Sequence, residues 1–151
     1  MIRKLIRGIV ASVGFTLAGG SASAAITQLG ASLDASGSVS FSQFQLQLNG
    51  WADAISSLPT DGSVEVTVVQ FGGSTLAGTA TVEVAPTLID SAATRTAVAG
   101  AVSSIGKLGG GTPIDAGINV LANAMTGSVN FNPGTNTSVI NLATDGFPNS
   151  Q

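Results

Sequence analysis

Apolar residues recur along the chain at spacings that distinguish helices from strands. From 41 to 58 they fall at steps of three and four, which predicts one amphipathic helix with a continuous apolar face. That face consists of Phe41, Phe44, Leu48, Trp51, Ile55 and Leu58. Ser40 is the expected N-cap, and Pro59 is expected to end the helix. We expect the aromatic residues of this face to lie in the core.

Two further helices are predicted in the second half of the chain. One runs from Asp90, a good N-cap residue, to Ile105. The other begins at Pro113, because proline is favoured in the first turn of a helix. Its predicted apolar face is Ile114, Ile118, Leu121 and Met125.

Four segments have the composition of β-strands: 26–33, 64–71, 79–84 and 139–142. The last has three apolar residues out of four, which predicts a buried strand. The order of elements is therefore β-α-β-β-α-α-β. It predicts an α/β fold with three layers, a doubly wound and mostly parallel sheet, and one antiparallel edge strand. In such sheets ligands bind at the carboxyl ends of the strands, near the point where strand order reverses.

The first 24 residues have the pattern of a signal peptide. Arg3, Lys4 and Arg7 precede an uncharged apolar run at 8–18, and Ala22-Ser23-Ala24 supplies a cleavage pattern. A membrane anchor is the alternative, but the apolar run is shorter than the roughly 20 residues that span a bilayer. We therefore expect a signal peptide at 1–24, a single domain at 25–151, and an exported protein that is periplasmic, on the cell surface or extracellular.

Charge and composition narrow the function. Residues 25–151 contain two basic and eight acidic side chains, a net charge of 2 − 8 = −6. A negative surface disfavours nucleic acid as a partner. The chain contains no Cys, so disulfides do not stabilise it. No stretch of the predicted domain is long and apolar enough to predict a transmembrane segment.

Oxygen-bearing side chains collect where two predicted strands end. Asp34, Ser36 and Ser38 follow the first strand, Asp145 follows the last, and Thr112 precedes the third helix. Oxygen ligands suit hard cations such as Mg²⁺, Ca²⁺ or Mn²⁺. The chain has no His or Cys, which argues against zinc, copper and iron–sulfur sites.

Three motifs together resemble the metal-ion-dependent adhesion site, or MIDAS, of von Willebrand factor A (VWA) domains. They are the Asp-x-Ser-x-Ser segment at 34–38, Gly-Gly-Thr-Pro at 110–113 and Thr-Asp-Gly at 144–146. Each motif alone is weak, but all three occur in order on an α/β pattern. The resemblance implies a site for Mg²⁺, or for Ca²⁺ or Mn²⁺, whose metal ligands are Asp34, Ser36, Ser38, Thr112 and Asp145.

The resemblance also implies a role for each ligand. Ser36 and Ser38 would bind the metal directly, and Asp34 and Asp145 mostly through water. Thr112 would bind in either way. An Asp or Glu side chain of a protein partner would complete the coordination. Gly37 and the glycines at 109–111 would let the backbone approach the ion.

VWA domains continue past the last motif with further helices and two more strands. This resemblance implies that the sequence, which ends at Gln151, is incomplete at its C-terminus. Any surface anchor would lie beyond it.

An enzymatic function is not expected. Without His, and with Lys107 as the only Lys after residue 24, a serine hydrolase would lack a base to activate its nucleophile. The remaining polar residues that could be considered are predicted to lie on solvated faces: Asp53, Asp61, Glu65, Glu83, Asp115 and Asn119.

Two functions stay open at this point: a metal-dependent adhesion or protein-binding module, and a structural domain of a larger exported protein whose metal stabilises the fold. A binding site leaves one coordination position open to solvent, whereas a structural site is closed by protein ligands.

Overall fold

A computed structural model describes residues 25–73 and 79–146. The predicted order of elements is confirmed. The elements are β1 (Thr27–Asp34), α1 (Phe41–Ser56), β2 (Val64–Gly72), β3 (Thr79–Leu88), α2 (Ala92–Ser103), α3 (Ile114–Thr126) and β4 (Thr137–Ala143). The predicted signal peptide lies outside the described residues. None of the helices within them is long and apolar enough to cross a membrane.

The four strands form one sheet in the order β3-β2-β1-β4. β1 pairs in parallel with both β2 and β4, and β3 pairs antiparallel with β2 at the edge. This arrangement confirms the predicted fold class. β2 and β4 lie on opposite sides of β1, so strand order reverses at β1. The carboxyl ends of β1 and β4 therefore form the crevice where such sheets bind ligands.

Helices cover both faces of the sheet. Ala31 and Leu33 of β1 and Val66 and Val68 of β2 form one core with residues of α1 and α2. Ser40 caps α1 as predicted, through a capping box with Gln43. Burial of this apolar face, with many side chains fully excluded from water, is the main stabilising contribution.

The opposite face packs against α3 at very short range. Gly117 of α3 faces Ser32 of β1 and Phe71 of β2. A Cβ atom on Gly117 would lie 2.5 Å from Phe71 Cδ1 and 2.8 Å from Ser32 Oγ. Only a glycine therefore allows α3, and the loop that leads into it, to approach the sheet this closely.

Some predictions about burial were wrong. Val139, Ile140 and Leu142 of β4 are 45, 42 and 38% exposed, because β4 is an edge strand that no described helix covers. Phe41 is 68% exposed because it is the first residue of α1 and lies beyond the packed face. Ile118 is 37% exposed, and Gly117 takes its place in the contact with the sheet.

The start of α2 also differs from the prediction. Ser91, rather than Asp90, is the N-cap and accepts a hydrogen bond from the Thr94 amide. Asp90 instead accepts a hydrogen bond from the Thr94 hydroxyl, at 2.9 Å. Asp90 and Ser91 are both good N-cap residues, and the sequence alone does not show which of them caps the helix.

Glu65 is buried, which corrects the prediction of a solvated side chain. It lies on the α3 face at the start of β2, at the end of the sheet opposite the β1 and β4 carboxyl ends. Its carboxylate accepts hydrogen bonds from Gln28, at 2.8 Å, from Ser128, at 2.8 Å, and from Asn130, at 2.5 Å. These donors satisfy a charge that would otherwise be costly to bury.

The other acidic and amide residues of that prediction are not buried. Asp53, Asp61, Asp115 and Asn119 are exposed, as expected, whereas Glu83 is half-buried and accepts a hydrogen bond from Gln70.

Candidate metal site

The first part of the site is the end of β1 and the loop that follows it. Asp34 and Ser36 are completely buried. One carboxylate oxygen of Asp34 accepts the Ser36 amide hydrogen bond at 2.8 Å. The other accepts a hydrogen bond from the Thr144 hydroxyl at 2.7 Å. The Asp34 carboxylate is therefore fixed in position from two sides, by its own loop and by the loop that follows β4.

The second part of the site is the contact between the loop after β1 and the loop that follows β4. The hydroxyls of Ser36 and Ser38 lie 3.0 Å apart, within hydrogen-bonding distance. The Ser38 hydroxyl donates to the Asp145 carboxylate at 3.1 Å. Because β4 pairs in parallel with β1, residues 107 positions apart in sequence meet at one edge of the sheet. The structure thus brings four of the predicted site residues together.

Thr112 lies beside this group. It is 6% exposed and sits two residues before α3. A Cβ atom placed on Gly146 would lie 3.6 Å from Ser38 Oγ and 3.8 Å from Thr112 Oγ1. These three residues therefore surround a small space, which we call the cradle. The absence of a side chain at 146 keeps the space between the two hydroxyls open.

Backbone hydrogen bonds between glycine-rich loops hold the parts in place. The Gly37 amide donates to the Gly110 carbonyl at 2.7 Å, and the Gly109 amide donates to the Ala35 carbonyl at 2.6 Å. Gly109 and Gly110 have φ values of 78° and 73°, which favour glycine. These hydrogen bonds show that the glycines let two loops approach each other closely. The approach of their backbone to the ion stays a prediction.

Burial divides the site into a floor and a rim. Asp34, Ser36 and Thr112 form a buried floor, whereas Ser38 and Asp145 are exposed. Within residues 25–73 and 79–146 no three carboxylates converge on one point. The site instead combines two carboxylates with three hydroxyls, an all-oxygen set that suits a hard divalent cation. The residues present, and the open cradle between them, fit the metal that the resemblance implies.

Sequence reasoning overlooked two participants. Thr144 was considered only as part of a motif, yet its hydroxyl orients Asp34. Lys107 was considered only as an unsuitable base, yet its ammonium donates hydrogen bonds to the carbonyls of Ala35 and Ser36. Thr144 could have been found from its position next to Asp145 in the motif. For Lys107 the sequence shows the charge but not which groups the side chain contacts.

A family model, the von Willebrand factor type A domain, matches residues 31–151. The chain belongs to this family. The match covers every described element except the start of β1. No curated protein sequence matches this VWA domain.

Solved structures share the fold of this VWA domain. Proximal thread matrix protein 1 from the mussel byssus is 21% identical over 85% of this chain, with a TM-score of 0.64. The pilus adhesin SpaC from Lactobacillus rhamnosus GG, in an open conformation, is 18% identical over 84% of this chain, with a TM-score of 0.57. The matches span 33% of the mussel protein's chain and 15% of the adhesin's.

One neighbour bears on the choice of metal. The mussel protein has also been solved with a zinc-occupied MIDAS motif, in a structure that is 19% identical to this chain. A MIDAS can therefore hold zinc, so the absence of His and Cys does not by itself exclude zinc from such a site. The assignment of the five ligands in this chain stays a prediction.

Proposed function

We propose that this VWA domain is a divalent-metal-dependent binding module that coordinates an acidic residue of a protein partner outside the cytoplasm. The observation that carries the proposal is the convergence of hydroxyls from Ser36, Ser38 and Thr112 with carboxylates from Asp34 and Asp145. They come from three separate loops at the carboxyl edge of the sheet.

Each residue has a distinct role in the proposed site. The hydroxyls of Ser36 and Ser38 would bind the cation directly, and Thr112 would do so directly or through water. Asp34 would act through water, as the resemblance implies, and its two hydrogen bonds hold the carboxylate in position for that role. Asp145 acts in the same way from the rim. Bound Mg²⁺, Ca²⁺ or Mn²⁺ supplies an incompletely neutralised positive charge, to which a partner's Asp or Glu carboxylate binds.

The exposure of the rim favours binding over a structural role. Ser38 and Asp145 face solvent, which leaves an approach for a carboxylate. Two of the three loops are also joined by backbone hydrogen bonds, from Gly37 to Gly110 and from Gly109 to Ala35. The third loop is joined to the first by the hydrogen bonds from Thr144 to Asp34 and from Ser38 to Asp145. A cation is therefore not required to connect them, which argues against the alternative of a metal that mainly stabilises a structural domain.

Chemistry and context support a non-enzymatic, exported protein. Ser38 bonds to a carboxylate, and the chain contains no His that could act as the base of a hydrolase. The pattern at 1–24 is typical of a signal peptide, and residues 25–151 are strongly acidic. The structural neighbours from the mussel byssus and a bacterial pilus function outside the cytoplasm, which is consistent with export.

The test is calorimetric titration of Mg²⁺, Ca²⁺, Mn²⁺ and Zn²⁺ into the protein. We expect saturable binding of about one ion per chain, with loss of binding in a Ser36→Ala/Ser38→Ala variant. Ser103→Ala is the matched control, because Ser103 is exposed on α2 and bonds only to its own helix. Equal binding by the double variant and the control, or none by the native protein, would overturn the proposal.

A second titration tests the partner chemistry. Acetate, as the simplest carboxylate, should bind to the metal-loaded protein and not to the metal-free protein. Binding of acetate that does not depend on the metal would contradict the proposed recognition of an acidic residue.

A further inference from the structure

Lys107 places a positive charge directly behind the proposed metal site. It lies in the loop between α2 and α3, and its ammonium donates to the carbonyl of Ala35 at 3.2 Å and of Ser36 at 2.5 Å. Both carbonyls belong to the loop that carries Asp34, Ser36 and Ser38. The side chain is half-buried, so water screens its charge less than that of a fully exposed lysine.

This ammonium is the main positive charge near the site. After residue 24 the sequence has two basic residues, Arg95 and Lys107. Arg95 donates to the Leu58 carbonyl, which follows α1 at the end far from the Asp34 loop. Among residues 25–73 and 79–146, Lys107 is therefore the basic residue close enough to influence an ion at the site.

Lys107 changes the net charge of the site. Asp34 and Asp145 contribute two negative charges and Lys107 one positive charge, so the site without metal has a net charge of −1. A divalent cation changes it to +1. Without Lys107 the same cation would only neutralise the two carboxylates. The lysine thus determines whether the loaded site is positive or neutral toward an incoming anion.

We propose that Lys107 adjusts the loaded site toward anionic ligands: it weakens the binding of the divalent cation and strengthens the binding of the partner's carboxylate. This inference rests on the proposed function and adds a residue outside the three motifs to it. The two hydrogen bonds of Lys107 hold its ammonium group against the loop, so the charge acts at a fixed position. A role that only shaped the loop would affect both ligands in the same direction, whereas a charge affects them in opposite directions.

The experiment compares the native protein with Lys107→Met, which removes the charge, and with Lys107→Arg, which retains it. Mn²⁺ is titrated at low salt, and acetate is then titrated into the Mn²⁺-loaded proteins, with water proton relaxation reporting loss of metal-bound water. Because water screens the charge of a half-exposed lysine, we expect Lys107→Met to bind Mn²⁺ only roughly three- to tenfold more tightly. The effect on singly charged acetate should be opposite and smaller, a roughly two- to fourfold weaker binding. Lys107→Arg should resemble the native protein.

Salt provides a further readout that a structural role would not alter. The differences between native protein and Lys107→Met should shrink as NaCl is raised from about 10 mM to about 500 mM, because added ions screen the charge. Lys107→Gln, which can still donate to a carbonyl, serves if Lys107→Met does not fold, and should behave as a neutral variant.

The outcomes separate this inference from the proposed function. Native binding of Mn²⁺ with unchanged or uniformly weakened affinities in the neutral variants would overturn only the role of Lys107. Absence of Mn²⁺ binding by the native protein would overturn the proposed function, and the role of Lys107 with it.

Discussion

Replacement of Gly117 by Ala would test the contact between α3 and the sheet. The added Cβ atom would lie 2.5 Å from Phe71 Cδ1, 2.8 Å from Ser32 Oγ and 2.9 Å from Phe71 Cγ. Both neighbours are completely buried in β1 and β2, so neither can move without disturbing the core. We expect α3 to shift outward.

Two opposing contributions determine the magnitude. Alanine in place of glycine inside a helix stabilises by about 1 kcal/mol. Overpacking in a dense core costs typically about 1–3 kcal/mol. Because the clash involves two buried side chains at distances below 3.0 Å, we place the cost at the upper end. The free energy of unfolding should therefore fall by about 1–2 kcal/mol.

Urea unfolding provides the assay, and Gly100→Ala provides the matched control. Gly100 lies in α2, is exposed, and has nothing within 4 Å of an added Cβ. Its replacement should stabilise the protein by roughly 0.5–1 kcal/mol. The Gly117 variant should also bind metal more weakly, because α3 positions Thr112. A Gly117→Ala protein as stable as the native one would refute the reasoning.

Other positions give shorter tests. Glu65→Ala should remove the acceptor of one buried and two half-buried donors and destabilise by about 2 kcal/mol in thermal unfolding. The metal affinity of the folded protein should not change, and a loss of that affinity would contradict a purely structural role. Gly146→Ala places a methyl group in the cradle at ordinary contact distances, so the free energy of unfolding should not change. The metal affinity measured by calorimetry should fall roughly tenfold, because the methyl group occupies the space for the cation. Unchanged affinity would show that the cation lies elsewhere. The pKa of Asp61 is lowered by hydrogen bonds from the side chain and backbone of Ser63, so its contribution to stability is present above the ordinary pKa and is lost as pH falls through the lowered value. An NMR titration should give a midpoint below that of an unstructured Asp peptide, and an equal or higher midpoint would contradict this.

The edge that carries the site could be predicted from the sequence, for a specific physical reason. Parallel strands end at the same edge of a sheet, so Asp34 and Asp145 were expected at one edge once their strands were recognised. The direct pairing of β1 with β4 then brings them together. The spacing of Ser36 and Ser38 in the loop then placed two hydroxyls beside them. The coarse fold followed from the same alternation of elements.

The wrong predictions of burial and contact share one cause: they depend on which distant segments pack against each element. Periodicity assigns Glu65 to one face of β2, but it does not show that a distant loop supplies Asn130 as a donor. Likewise, the apolar residues of β4 do not show that the described helices leave this strand uncovered. The reach of Lys107 to the Ser36 carbonyl depends on how the loop before α3 folds back, which no local pattern encodes.

The parallel pairing of β1 with β4 also has a consequence for the order in which the chain matures. The hydrogen bonds between Asp34 and Thr144 and between Ser38 and Asp145 close loops of 110 and 107 residues. Contacts so distant in sequence form late and slowly, since the entropy of loop closure is lost before they stabilise the chain. A chain that has folded only as far as α3 would hold Asp34, Ser36, Ser38 and Thr112, yet would lack the strand that completes the edge. Metal binding would then be one of the last events of folding, and its rate during refolding would report the pairing of β4 with β1.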